Sequence, residues 1–389
     1  MKVAILAFGS RGDTQPCVAL GEGLRERGHE VTVVAAERYA PLMGGLTMAA
    51  LSVDPVRIME SEEGQAWLRS GPLGFVRGFA RIVEPLAEKL VAEVDAAARD
   101  ADLVLAPALG GMGGHLSDRY GMPHRILHFQ PSHPTREFPN PLVRLRTLGS
   151  WGNRASYALI ERLSWLVLGR MVNRLRATVL GLGPRRPRRD DTPVLCGVSP
   201  LVVPRPRDWP CHVHLTGYWR RPPRSLPGEL LAFVEEGPPP VYVGFGSMSA
   251  PAWLGERVVE ALELAGVRAV VQGLPVEPSS TLFLLGEADH AALFPLTAAV
   301  VHHGGAGTTA TGLTAGVPNL VCPFFSDQHF WGARVAALGA GPDPLPVRRL
   351  TSAELAARLA RAVPNRRLSA LLRQEDGVRQ AVDLLEVSG

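Results

Sequence analysis

Residues Ala299 to Gly312 read Ala-Val-Val-His-His-Gly-Gly-Ala-Gly-Thr-Thr-Ala-Thr-Gly, an apolar run that breaks into a glycine-rich turn and resumes as a helical stretch. Glycine lets the backbone turn through conformations closed to other residues and lets a ligand approach the chain closely. A helix starting just beyond such a turn offers unsatisfied N–H groups and the positive end of its dipole, which suits phosphate oxygens. A strand, glycine loop and helix placed this late in a chain predict a nucleotide site in a second domain.

Length agrees. The chain has 389 residues, more than one hydrophobic core usually serves. Apolar residues make up 46% and charged residues 20%, the balance of a globular chain rather than a disordered one. A net charge of +4, with no basic block interleaved with aromatics, argues against a nucleic-acid partner. All but two of the 41 basic residues are arginine, a bias expected of a GC-rich bacterial genome rather than of recognition chemistry. Cys17, Cys196, Cys211 and Cys322 are scattered, without metal-ligand spacing and too few for a disulfide framework, so the expected setting is a reducing cytoplasm. Met1 to Phe8 is too short for a signal sequence, and no apolar run is long enough to span a bilayer.

Along the chain, Val3 to Phe8 reads as a buried strand and Thr14 to Arg27 as a helix ended by Gly28-His29. Val31 to Ala35 is the next strand. This β-α-β unit predicts a parallel sheet, continued at Leu103 to Ala106 and His124 to Phe129. Trp151 to Leu180 is a long helix mixing apolar residues with arginines. The apolar residues wrap widely round it, which fits a helix packed on its neighbours with arginines snorkelling outward. The competing reading is an amphipathic helix lying on a membrane or covering a greasy acceptor. Pro/Arg-rich stretches at 181–193 and 220–227 read as loops or linkers. A second α/β series starts at Val241-Tyr242-Val243-Gly244-Phe245-Gly246-Ser247, with strands at Val267 to Val271, Thr281 to Leu285 and Ala298 to Val301. Ala353 to Val363 and Arg366 to Leu385 read as amphipathic helices.

Four segments carry a resemblance: Gly9-Ser10-Arg11-Gly12-Asp13-Thr14-Gln15-Pro16, Gly244-Phe245-Gly246-Ser247-Met248, the His302–Thr309 loop, and Phe324-Phe325-Ser326-Asp327-Gln328-His329-Phe330-Trp331-Gly332. In this order the chain resembles the family-1 glycosyltransferases of the GT-B fold, in the bacterial natural-product and sterol-glucosyltransferase-like branch, similar to the vancomycin-group enzymes. The resemblance covers nearly the whole chain and is weakest at about 44–100 and 140–215. It implies an α/β protein of two Rossmann-like domains facing across a cleft, with the final helix crossing back. The expected parts are 1–200 for the acceptor, 201–365 for the nucleotide sugar, and 366–389 packing on the first domain.

It also implies transfer of a sugar with inversion and without a bound metal or other cofactor. The co-substrate is a UDP- or dTDP-sugar and the partner a hydrophobic small molecule. Membrane contact is permitted but not required, and the oligomeric state is open. Asp13 is the expected general base, in the loop at the carboxyl end of the first strand, with Ser10 beside it. His302, the N–H groups of Gly304, Gly305, Ala306, Gly307 and Thr308, the hydroxyls of Thr308 and Thr309, and Ser247 with Gly246 are expected to take the diphosphate. Asp327 and Gln328 suit sugar hydroxyls, and the backbone near Ala288 the nucleotide base. The family often carries a Trp where this chain has Leu274, which leaves uridine and thymidine undecided.

Blander readings compete. Gly9–Asp13 is also a tight turn with a helix cap, and Asp327 also caps a helix. His212-x-His214 has the alternation of two ligands on one strand but lacks a third. At the level of the whole chain, the rivals are a non-catalytic partner of another transferase and a sugar-nucleotide epimerase on the same fold. A dehydrogenase fits worst, because Gly9-Ser10-Arg11-Gly12 does not follow G-x-G-x-x-G.

Overall fold

Strands buried on both faces of a parallel sheet read as continuous apolar runs rather than alternating ones. That is why Lys2–Ala7 forms β1 with all but its first residue buried, and why Val241–Gly244 (β8) and Ala299–His302 (β11) are buried throughout. The computed structural model describes residues 1–54, 57–58, 61, 63–64, 81–82, 84–108, 111–185, 191–246 and 251–387.

The first half runs β1, α1 (Arg11–Glu26), β2 (Glu30–Ala36), β3 (Thr47–Leu51), α2 (Glu84–Ala98), β4 (Leu103–Pro107) and α3 (Met112–Tyr120). It continues through β5 (His124–His128), α4 (Gly149–Thr178), β6 (Val194–Cys196) and β7 (Val213–Leu215). These strands make one seven-stranded parallel sheet in the order β3-β2-β1-β4-β5-β6-β7. The sheet continues past residue 200, where the sequence suggested a division, because β7 pairs with β6. The chain leaves it only at the Pro/Arg-rich stretch 220–227.

The second half runs α5 (Gly228–Glu235), β8, α6 (Ala252–Ala265), β9 (Ala269–Gln272), β10 (Leu282–Leu285), α7 (His290–Leu293) and β11. Then come α8 (Ala306–Ala315), β12 (Asn319–Val321), α9 (Gln328–Ala337), α10 (Ser352–Ala360), α11 (Arg366–Gln374) and α12 (Gly377–Val387). Its five parallel strands are ordered β10-β9-β8-β11-β12. Each sheet reverses its winding once, between β1 and β4 and between β8 and β11, and ligands of open α/β sheets bind outside the carboxyl ends of strands at such points.

The C-terminal stretch expected as one helix from Arg366 to Leu385 is two. Glu375 is extended, and Arg220 donates to the carbonyls of Leu372 and Glu375 across the break. Gly377 then packs backbone to backbone on Gly217, where a Cβ would stand 2.6 Å from the Gly217 carbonyl carbon. The break turns α12 back onto α1. Ala381, Val382 and Leu385 share a buried cluster with Cys17, Leu20 and Leu24, while α11 stays with α8 through Leu368, Leu372, Ala310 and Leu313. The last segment thus ties both halves together.

The long helix departs further from expectation. Its middle is not packed away: Trp151, Leu159, Leu163 and Leu166 point outward, and Asn153, Ser156, Tyr157, Val172 and Leu175 are the buried ones.

Candidate active site

The loop after β1 is built around Gly9 at φ +118°, where a Cβ would lie 2.5 Å from Asp13 Oδ2. Only glycine allows that turn and that closeness. Ser10 precedes α1, and both its backbone N–H (2.8 Å) and its Oγ–H (2.9 Å) donate to Asp13 Oδ2. Asp13 sits on the third residue of the helix, not at its cap. Its carboxyl is half-buried, and burial raises its pKa against the lowering pull of the two Ser10 hydrogen bonds. A carboxyl pKa raised in this direction favours a general base, which takes a proton better as its own pKa rises.

Opposite lies the glycine loop. His302 ends β11 fully buried, with Nδ1 accepting from Gly304 N–H at 3.2 Å, and burial pushes its pKa down to about 3. His303 faces the other way: a Cβ on Gly246 (φ +69°) would stand 3.0 Å from its Cε1, and one on Gly305 2.7 Å from its Nε2. Burial holds His303 down at about 4, so it too is neutral. Gly304 has φ +94°, and a Cβ there would meet Val321 Cγ1 at 2.6 Å and the Gln328 carbonyl at 2.9 Å. The loop is therefore clamped onto the head of α9. Helix α8 starts after Gly305 with no side-chain cap and no acidic residue in its first turn. Buried His303 Nδ1 and Thr309 Oγ1 make no hydrogen bond among the described residues, while the His302 ring also interacts with the Asn319 side chain. Ala306 and Thr308 are half-buried and Gly307 is exposed. Unsatisfied donors at an uncapped helix start are an arrangement for an anion.

The two loops meet. A Cβ on Gly307 would have Gly12 Cα as its neighbour at 4.0 Å, so α1 and α8 come together head to head. Arg11 pairs with Glu287 across the gap at 3.5 Å. Asp327 belongs to the same place. Burial raises its pKa, Trp331 Nε1–H donates to its Oδ2 at 2.9 Å, and the charge of Asp13 pushes the pKa further up. Its side chain does not cap α9. Gln328 is buried, and its Oε1 accepts from the N–H groups of Phe324 (2.7 Å) and Phe325 (3.1 Å), so its oxygen is committed to holding the loop. Ser326 between them has φ +60°, a costly conformation for serine that keeps Asp327 presented.

Ala288 is half-buried beside His290. The His290 ring stacks on Phe294 at 4.7 Å, and its Nε2 meets Tyr242 Oη (3.0 Å) and Gln272 Oε1 (3.1 Å). Leu274, at the position where the resemblance leads one to expect a Trp, is packed in the core of the second half. Ser247 lies outside the described residues, as do most residues from 55 to 83 of the expected acceptor half. From the sequence, His303 reads with His302 as a buried structural histidine or a metal ligand, and neither it nor Arg11 is given a donor-binding role. Nothing in their spacing distinguishes them, and only the fold shows which histidine of the pair faces outward.

Two Rossmann-like sheets facing across loops of this kind, tied by a returning C-terminal segment, make the GT-B architecture. The glycosyltransferase of kitacinnamycin shares it at a TM-score of 0.70 and 20% identity, over 99% of this chain and 98% of that one. A Streptomyces sp. SF2575 glycosyltransferase complexed with thymidine diphosphate does so at 0.63 and 22%, over 99% of each chain. Arabidopsis thaliana UGT89C1 complexed with UDP does so at 0.67 and 16%, over 100% and 99%. Residues 3–118 match the glycosyltransferase family 28 N-terminal domain, and residues 285–378 the erythromycin biosynthesis protein CIII-like C-terminal domain. Among whole sequences, the chain is 36% identical to O-mycaminosyltylonolide 6-deoxyallosyltransferase of Streptomyces fradiae, over 99% of itself and 97% of the relative. It is 33% identical to the sterol 3-beta-glucosyltransferase UGT80B1 of Arabidopsis thaliana, over 98% of itself and 67% of that longer chain. The chain belongs to the family-1 glycosyltransferases of the GT-B fold, and it is a glycosyltransferase.

Proposed function

We propose that this enzyme moves a sugar, with inversion, from a UDP- or dTDP-sugar to a hydroxyl of a hydrophobic acceptor such as a polyketide, macrocycle, aromatic aglycone or sterol-like molecule. The acceptor lies in the β1–β7 half and the donor mainly in the β8–β12 half. The acceptor O–H proton passes to the Asp13 carboxylate, and the oxygen attacks the anomeric carbon from the side opposite the diphosphate. The bond to the diphosphate oxygen breaks as the new C–O bond forms. The leaving charge is met by the N–H groups of Gly305 to Thr308, the Thr308 and Thr309 hydroxyls and the half-buried His303 ring, while the Gly304 N–H expected in this set is already given to His302 Nδ1. No bound metal is needed for that. Asp327 accepts from sugar hydroxyls, the amide of Gln328 works beside it, and the backbone near Ala288 and Gly246 borders the base. Ser247 joins this set on the resemblance alone.

One observation carries the reading: α1 and α8 meet head to head, with a carboxylate of raised pKa at one head and uncapped N–H groups at the other. The relatives' names, a sterol acceptor in one and a deoxyallosyl transfer in the other, support a hydrophobic acceptor and leave the sugar open. The test is thermal-shift binding of UDP, dTDP, GDP and NAD, with and without EDTA. A ligand bound only by the folded state raises the midpoint by mass action. Selective stabilisation by UDP or dTDP, unchanged by EDTA, is expected. Stabilisation by NAD alone, or by no nucleotide, overturns the reading.

A further inference from the structure

Exposed apolar side chains are not spread evenly. Seven of the eighteen large hydrophobic residues exposed among the described residues fall between Leu142 and Leu166, in α4 and the loop before it. Single exposed leucines need no explanation, but a contiguous set marks a contact surface. On α4, Leu159, Leu163, Leu166 and Arg170 follow i, i+4, i+7 and i+11, and Trp151 leads into the same stripe through Ala155. Trp151 is 78% exposed and Leu166 76%.

We propose that this face docks on an anionic lipid surface. Arg162 and Arg170 are exposed within or beside the stripe, Arg136 lies over the Trp151 ring at 5.0 Å, and Glu161 is the only acidic residue of the helix. Arginines flanking leucines and an interfacial tryptophan fit a headgroup layer: the stems lie along apolar surface while the guanidiniums reach phosphates. A second copy fits worse, because a two-fold contact would oppose the same arginines. No helix among the described residues is long and apolar enough to cross a membrane, so the contact lies along the surface.

The position of the face gives it a use. The loop at its start touches the second half, where Arg146 pairs with Asp343 at 2.5 Å and Phe138 packs on Phe330 at 5.5 Å, two residues beyond Gln328. An acceptor dissolved in the bilayer would meet the site there. Only this last step rests on the proposed function; docking itself does not.

The experiment is co-sedimentation of the full chain with vesicles of phosphatidylcholine, alone or with about a third phosphatidylglycerol, at low and high salt and without donor or acceptor. Partition at least about tenfold stronger onto the anionic vesicles, weakened by salt, is expected. The combined Leu159→Ser, Leu163→Ser, Leu166→Ser variant should lose it. Arg162→Gln with Arg170→Gln should weaken it about tenfold while sparing the residual apolar contact. Nucleotide-induced thermal shifts should persist in both variants, which separates failure of docking from failure of the transferase reading. Equal partition of wild type and the leucine variant, no partition at all, or a concentration-dependent dimer that the leucine variant abolishes would overturn the proposal.

Discussion

The two strand–loop–helix units that face each other differ in how the helix start is satisfied. Helix α1 is closed by its own chain: Ser10 and Asp13 bond each other, and Asp13 brings a negative charge to the positive end of the dipole. Helix α8 starts at Gly305 with neither cap nor acid, above buried histidine and threonine atoms without partners. Capping groups stabilise a helix by about 0.5–2 kcal/mol, so leaving one start open has a cost. The closed start keeps a carboxylate fixed; the open one leaves its donors for an anion that comes and goes. One architecture thus supplies a proton acceptor and an anion site by filling one helix head and not the other.

The largest test of this asymmetry is Asp13→Asn. The amide still accepts from Ser10 but takes no proton, so kcat should fall by about 10²–10⁴-fold while nucleotide-induced stabilisation stays. Stability should move the other way. Burial raises the Asp13 pKa, so the folded chain binds that proton more tightly than the unfolded one. Stability is therefore lost as pH rises from the unfolded carboxylate pKa through the folded one, and stays lower above it. Asparagine removes that cost, and the variant should melt at the same or a higher temperature at neutral pH. A lower melting temperature with retained turnover would make Asp13 a structural cap and not a base.

Two glycine substitutions separate the heads. Gly304→Ala forces a Cβ into Val321 and the Gln328 backbone at positive φ, with a cost of about 1–3 kcal/mol or more, and should abolish the UDP or dTDP thermal shift. Gly9→Ala displaces Asp13 and should lower kcat while the thermal shift persists. If both variants lose nucleotide binding alike, the heads are not divided in function.

His303→Ala is a smaller perturbation. It removes a neutral ring between Gly246 and Gly305 and should raise the donor KM by about tenfold, the worth of one hydrogen bond at a charged ligand. His303→Gln, which keeps a donor, should recover part of it. Because His303 is held at about 4, the effect should not vary between pH 6 and 9. His302→Ala opens a cavity under the loop instead, and should show first as a lower melting temperature.

Much of this architecture is legible in the sequence alone. The buried strands β1, β8 and β11 announce themselves as apolar runs, and the loops as glycines at their ends. Asp13 and Asp327 follow from the resemblance. What escaped depends on long-range packing. The break at Glu375 is set by Arg220, some 155 residues away in sequence, and by Gly217. The continuation of the first sheet to β7 rests on three-residue strands too short to carry a periodicity. The outward face of α4 misled because a helix apolar all round reads as buried, and sequence does not tell a core from another apolar medium. Gln328 reads as a sugar ligand, yet its oxygen serves the Phe324–Phe325 backbone.

The smallest effect sharpens the comparison most. Ser10→Ala deletes the Oγ–H bond to Asp13 Oδ2 and leaves the backbone N–H bond in place. Helix stability should drop by about 1 kcal/mol. The Ser10 hydroxyl is one of the groups that lower the Asp13 pKa against burial, so without it that pKa rises further. The acid limb of the kcat/KM profile should then move to higher pH, with turnover well above that limb nearly unchanged. The same substitution at a mere cap would lower the melting temperature and leave the pH profile where it was. A shifted limb therefore identifies Asp13 as the group that must lose its proton before the acceptor can, and an unshifted limb would return the closed helix head to structure alone.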